Sequence, residues 1–156
     1  MIEVFALLLA YQIKHWVCDF PLQTEYMLGK FKEKGWALPL ATHAWIHFLG
    51  TYLIASVFTG NSILAGKLAL FDFVVHFTMD RIKASPKLLG RFEALSRRDY
   101  EGLMDVEKTE GHDPRWPIFK AEVMRSNKLF WWALGFDQMV HHLTHYAIIY
   151  ALIRYT

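Results

Sequence analysis

The chain has 156 residues, enough for one domain, and a formal net charge of +2, too small to point to a nucleic-acid partner. Hydrophobic residues make up 54% and charged residues only 21%, with most of the charge confined to residues 30–34 and 81–128. That segregation excludes an ordinary soluble core and predicts an all-α integral membrane protein, a four-helix bundle forming a single membrane domain over residues 1–156.

The first predicted span covers about residues 2–22. Its start, Met1-Ile2-Glu3, has no basic segment and no small-residue cleavage site, so a retained span is expected and not a cleaved signal peptide. Pro21 ends or bends it. Gln12, His15, Asp19 and Gln23 recur at steps of three and four, one polar stripe on an otherwise apolar helix. Cys18 is the one cysteine; it excludes an internal disulfide and reads as a buried, inert thiol. A short basic loop follows, with Lys30, Lys32 and Lys34 against Glu33.

The second span covers about residues 37–58, with His43, His47 and Thr51 as its stripe. Thr59-Gly60-Asn61-Ser62 is an uncharged turn, and the third span follows over about residues 63–82. Its stripe is Asp72, His76 and Asp80, at four-residue spacing. Residues 84–128 differ in composition and are expected outside the hydrocarbon. Ser85-Pro86 reads as a helix start, and Leu88, Leu89, Phe92 and Leu95 then share a face, as in an amphipathic helix on a membrane surface. Ser96 with Asp99 suggests another capped helix, and His112 a solvated loop residue. The fourth span covers about residues 129–153 and carries Asp137, His141 and His145 on one face.

Three crossings put both basic segments on one side, and the positive-inside rule makes that side cytoplasmic. Both termini then face the opposite compartment, and the chain is expected as a multi-pass protein of a bacterial inner (plasma) membrane. By rise per residue, Asp19, His43 and Asp80 are expected about 3–6 Å from the cytoplasmic boundary and His15, His47 and His76 about 9–12 Å in. Asp72 and Asp137 follow at about 12–15 Å, with His141 near the middle and His145 beyond it. The stripes can therefore converge on one pocket.

Carboxylates and imidazoles in hydrocarbon are costly unless paired, which makes them candidates for function. The expected metal ligands are His15, Asp19, His43, His47, Asp72, His76, Asp80, Asp137, His141 and His145. The mixture suits a divalent transition metal, zinc first, with iron or manganese as alternatives, as one ion or two. Paired ions favour hydrolysis of phosphate esters or amides, with Asp137 and His141 as the catalytic candidates. No span carries the Glu-x-x-His of ferritin-like di-iron bundles, and the prominence of aspartate ranks a histidine-rich membrane oxygenase below a hydrolase. Lys14, Arg81 and Lys83 read first as positive-inside anchors and second as contacts to a lipid phosphate. Gln12, Gln23 and Gln138 are expected to orient ligands or join helices, and His142, off the Asp137 face, to orient a ligand or pack at the lipid interface. Trp36, Trp45, Trp131 and Trp132 are expected at the interface or in packing.

His15-x-x-x-Asp19-Phe20-x-Leu22-Gln23-Thr24, His43, His76-Phe77-x-x-Asp80-x-x-Lys83 and Phe136-Asp137-Gln138-x-x-His141 touch all four predicted spans. In these motifs the chain resembles the domain of unknown function 3307 family of small bacterial and phage membrane proteins. The resemblance implies a multi-span inner-membrane protein and no established activity. It does not reach His47, Asp72 or His145, which rest on spacing alone. Two functions are therefore expected to compete. One is a metal-dependent hydrolase acting on a lipid-linked substrate. The other is a non-enzymatic membrane protein binding a host membrane partner through residues 84–128, its stripes serving helix packing or ion and proton passage.

Overall fold

The computed structural model describes residues 1–32, 34–85, 88 and 128–155. Among these the chain is all helical, with four long helices and no strand. Helix α1 is Ile2–Asp19, α2 is Ala37–Thr59, α3 is Ser62–Ala84 and α4 is Lys128–Tyr155, and a short 3-10 helix, Met27–Phe31, lies between α1 and α2. The helices coincide with the four predicted stretches to within a few residues. The amphipathic helices expected between residues 86 and 127, and any docking surface there, lie outside the described residues apart from Leu88.

Local chemistry sets the ends. Gly60 closes α2 at φ 65°, a left-handed conformation that a side chain would oppose, and its amide donates to Ser56 O. Asn61 caps α3, its Oδ1 accepting from the amides of Ile63 (3.1 Å) and Leu64 (3.0 Å). The turn is so short that α2 and α3 must run antiparallel side by side. Buried Ala44, Ala55, Ala65 and Ala69 let their backbones approach closely. α1 packs on α2 and α4, and α4 also packs on α3, which closes a ring of four helices with a small diagonal contact between α2 and α4. The side-chain pairs described below run in opposite sequence directions at every one of these contacts.

The two ends of the bundle differ. Toward the α2–α3 turn the interior is apolar, with Leu7, Ala55, Ala65, Ile148, Ile149 and Leu152 packed around Tyr11. Toward the other end the interior is polar and charged. The outer faces are the reverse of a soluble bundle: Phe5, Leu9, Ile13 and Trp16 of α1, Leu53 and Val57 of α2, Leu70 and Val74 of α3, and Phe136, Leu143 and Tyr150 of α4 are all exposed. By length and composition, α2 and α3 are apolar enough to cross a membrane. The sequence led to an expectation of four such helices. α1 falls short because Glu3, Lys14 and Asp19 lie within its 18 residues, and α4 because it carries Asp137 and three histidines.

Candidate metal centre

Four-residue spacing stacks each helix's polar groups one turn apart, and antiparallel packing brings one from each helix to each level. Three levels result. The outermost joins Asp19, His43, Asp80 and Asp137. The middle one joins His15, His47, His76 and His141. The innermost joins Tyr11, Thr51, Asp72 and His145.

The middle level is a closed ring of four imidazoles. Neighbouring centroids lie 5.8 Å apart for His15–His47, 3.7 Å for His47–His76, 3.9 Å for His76–His141 and 5.5 Å for His141–His15. His47, His76 and His141 are stacked nearly parallel, His47 on His76 at 28° and His76 on His141 at 18°. Two neighbours fix ring orientations. Asp72 Oδ1 accepts from His76 Nδ1 at 3.0 Å, and Gln138 Oε1 accepts from His15 Nε2 at 3.0 Å. With Nδ1 protonated, His76 turns a bare Nε2 lone pair into the interior, where it has no partner among the described residues.

Above the ring, Asp19 is a hub. Its carboxylate lies 2.9 Å from His47 Nε2, 3.4 Å from His43 Nε2 and 3.2 Å from His15 Nε2. His43 Nε2 is also 3.2 Å from Asp80. Lys83 Nζ donates to Asp137 at 2.7 Å and to Asp80 at 3.1 Å, and Lys30 Nζ donates to Asp80 at 2.6 Å. His141 Nε2 lies 3.3 Å from Asp137. Below the ring, Lys14 Nζ sits among Asp72 (2.6 Å), His47 Nδ1 (3.2 Å) and His145 Nε2 (3.4 Å). Thr51 donates to the same Asp72 oxygen.

The expected ligands thus divide. His15, Asp19, His47 and His76 can each offer one ligand atom with all four within 4.8 Å of one another, and Asp80, Asp137 and His141 do the same. His43 stands between the two groups. Asp72 and His145 lie one level down, Asp72 taken up by Lys14, Thr51 and His76. His142 accepts from Gln12 at 3.1 Å and Gln23 accepts from Lys30, so these polar residues join helices and the connecting loop. Cys18 is a buried thiol against Ile46 O. The Trp36 ring lies under the Arg81 guanidinium, 3.6 Å from its centroid, and Trp45 stacks on Phe48.

Two expectations need correction. Lys14 is no interfacial anchor: its side chain is 4% exposed and bonded to Asp72 in the bundle interior. Lys83 likewise spends its charge on Asp80 and Asp137, and Lys30 of the basic loop folds in beneath the 3-10 helix. The signal for Lys14 was present, since it follows Tyr11 by three and precedes Cys18 by four, on the same face as His15. Gly50 made room for it, because a Cβ there would stand 2.9 Å from Lys14 Cγ. The second correction concerns depth. Asp137 was expected well below Asp80, yet Lys83 bonds both. Spacing along α4 orders its polar groups but does not fix its register against α3, so Asp137 stands about two turns nearer the level of Asp80 than a helix starting at residue 129 implies.

No curated protein and no solved structure matches the chain. The family model described as protein of unknown function (DUF3307) matches residues 4–156, essentially the whole chain, and the protein belongs to that family.

Proposed function

We propose that the chain is a four-span protein of a bacterial inner membrane that holds a divalent transition-metal centre in the cytoplasmic half of its bundle and uses it to hydrolyse a lipid-linked substrate. Apolar outer faces on all four helices support the four spans. The residues that count against α1 and α4 as spans, Lys14, Asp19, Asp137 and the histidines, are those turned inward and paired. Lys30, Lys32 and Lys34 lie at the end of the bundle where α3 stops and α4 starts, so the positive-inside rule makes that end cytoplasmic and sends both termini to the other side.

The observation that carries the metal is the environment of Asp19. Three imidazole Nε2 atoms surround its carboxylate at 2.9–3.4 Å. His15, Asp19, His47 and His76 each offer an atom within 4.8 Å of the others, a group that has only to draw in toward the ligand–ligand spacing of about 3.3 Å around a tetrahedral ion. His76 adds to this: its Nδ1 is taken by Asp72, and its Nε2 is buried without a partner among the described residues, a lone pair that an ion beside Asp19 would use. Imidazole with carboxylate suits zinc, iron or manganese. When bound, such ions supply Lewis acidity and an activated water for ester or amide cleavage. Asp137 Oδ1 is buried without a hydrogen bond and is suited to hold the proton that water gives up.

Passage of ions or protons is disfavoured by the apolar floor around Leu7, Ile148 and Leu152, which closes the polar interior at one end. A second reading, a metal-free packing network in a protein without enzymatic activity, draws on the three ammonium–carboxylate pairs made by Lys14, Lys30 and Lys83. Elemental analysis of detergent-purified protein separates the two. Near-stoichiometric zinc, iron or manganese, lost in His15→Ala or Asp137→Ala, is the expected result. A folded, metal-free wild type overturns the proposal.

A further inference from the structure

Resting on that metal reading, we infer that the two ligand groups differ in role: Asp80, Asp137 and His141 form the reactive position, and its open face takes a phosphate oxyanion with Lys83 as the second contact to that anion. The group around Asp19 offers four side chains, enough to close a tetrahedral ion. The group around Asp137 offers three, the number that leaves a position for water or substrate.

Charge selects the ligand class. Asp80 and Asp137 are already matched by Lys30 and Lys83. A divalent ion added there leaves two positive charges in surplus, in surroundings that tolerate little net charge. A neutral ester or amide does not offset that surplus, whereas a phosphate mono- or diester does. The surplus is smaller at the other group, where Asp19 meets no lysine among the described residues and Lys14 is held by Asp72.

Geometry selects Lys83 over Lys30. Lys83 Nζ bridges Asp137 and Asp80, so an ion drawing on the same two carboxylates releases N–H groups toward whatever fills the ion's remaining position. The Lys83 side chain is 23% exposed and the Lys30 side chain 3%, so access is from the Lys83 side. Asp80 lies one turn, about 6 Å, from the last residue of α3, within reach of headgroup phosphates. A lipid headgroup and free phosphate present the same tetrahedral oxyanion, and the experiment tells them apart.

The test uses the full chain in detergent, loaded with cobalt(II) as a coloured stand-in for zinc. It is titrated separately with inorganic phosphate and with dioctanoyl phosphatidic acid, and followed by visible absorption. Two cobalt ions per chain are expected, with one set of bands shifting on anion binding and the other indifferent. Lys83→Met is expected to keep both ions and to bind the anion about tenfold more weakly or worse, and Lys83→Arg to restore much of the affinity. A response to phosphatidic acid and not to phosphate assigns the site to a lipid headgroup; an equal response assigns it to phosphate as such. No bound cobalt overturns the metal reading and this inference with it. Two bound ions whose spectrum ignores both anions, or an affinity unchanged in Lys83→Met, overturn this inference and leave the metal reading standing.

Discussion

Lys14 Nζ and Asp72 Oδ2 meet at 2.6 Å, with the two side chains 4% and 0% exposed. The pair lies one level inside the imidazole ring, where neither charge reaches water. Removing one partner of such a pair leaves the other buried and uncompensated, at a cost of about 3–5 kcal/mol. Replacing both with uncharged groups of similar size is close to neutral. Lys14→Met is therefore expected to lower unfolding stability in micelles sharply, and the double variant Lys14→Met, Asp72→Asn to recover most of the loss. A double variant as unstable as the single one would mean that Lys14 contributes through packing and not through its charge.

Lys14 also marks how far the sequence could be read. The four helices were legible because their apolar stretches are long and their breakers, Pro21 and Gly60-Asn61, are unambiguous. The site was legible because His15 and Asp19, His43 and His47, His76 and Asp80, and Asp137 and His141 repeat at four-residue steps. Spacing within a helix carries no information about the register between helices, so the shared level of Asp137 and Asp80 was missed. A lysine near a span end looks the same whether it reaches out to headgroups or in to a carboxylate, so position in the sequence does not distinguish the two for Lys14, Lys30 or Lys83. The difference lies in partners on other helices, which only packing reveals.

Gly50 gives an independent probe of the same crossing. A Cβ there would stand 2.9 Å from Lys14 Cγ and 3.3 Å from Lys14 Cε, against a stem already pinned at Asp72 and unable to swing away. Overpacking of this kind costs about 1–3 kcal/mol. Gly66, within α3, has nothing within 4 Å of its hypothetical Cβ. Gly66→Ala is expected to be neutral or to stabilise by up to about 1 kcal/mol through helix propensity. Thermal unfolding of Gly50→Ala and Gly66→Ala in one detergent checks the contrast, with Gly50→Ala the less stable; the contrast disappears if the α1–α2 contact is looser than described.

The four-span reading places Lys32, beside the 3-10 helix, and Asn61, at the α2–α3 turn, on opposite sides of the membrane. In a Cys18→Ala background, Asn61→Cys is expected to react with a membrane-impermeant maleimide added outside intact cells. Lys32→Cys is expected to react only after lysis. Labelling of both from the same side would rule out α2 as a crossing. Labelling with the two positions exchanged would keep the spans and invert the orientation.

The proposed metal reading links binding to folding at the Asp19 hub, since the unfolded chain cannot hold His15, Asp19, His47 and His76 together. A ligand that binds only the folded state stabilises it by about 2.7 kcal/mol at a hundred times its dissociation constant. Zinc added to chelator-stripped protein is therefore expected to raise the unfolding midpoint, and a chelator to lower it again. Asp19→Asn keeps the side-chain volume and one oxygen but removes the charge that three imidazoles face. It is expected to abolish the zinc-dependent shift at the hub while leaving the helical circular dichroism signal in place. Under the metal-free alternative the outcome differs: zinc leaves the wild-type midpoint unmoved, and Asp19→Asn lowers it by the same amount with and without zinc. A midpoint that depends on zinc requires only that the ion bind the folded chain in preference to the unfolded one, and it is the loss of that dependence in Asp19→Asn that assigns the binding to the hub.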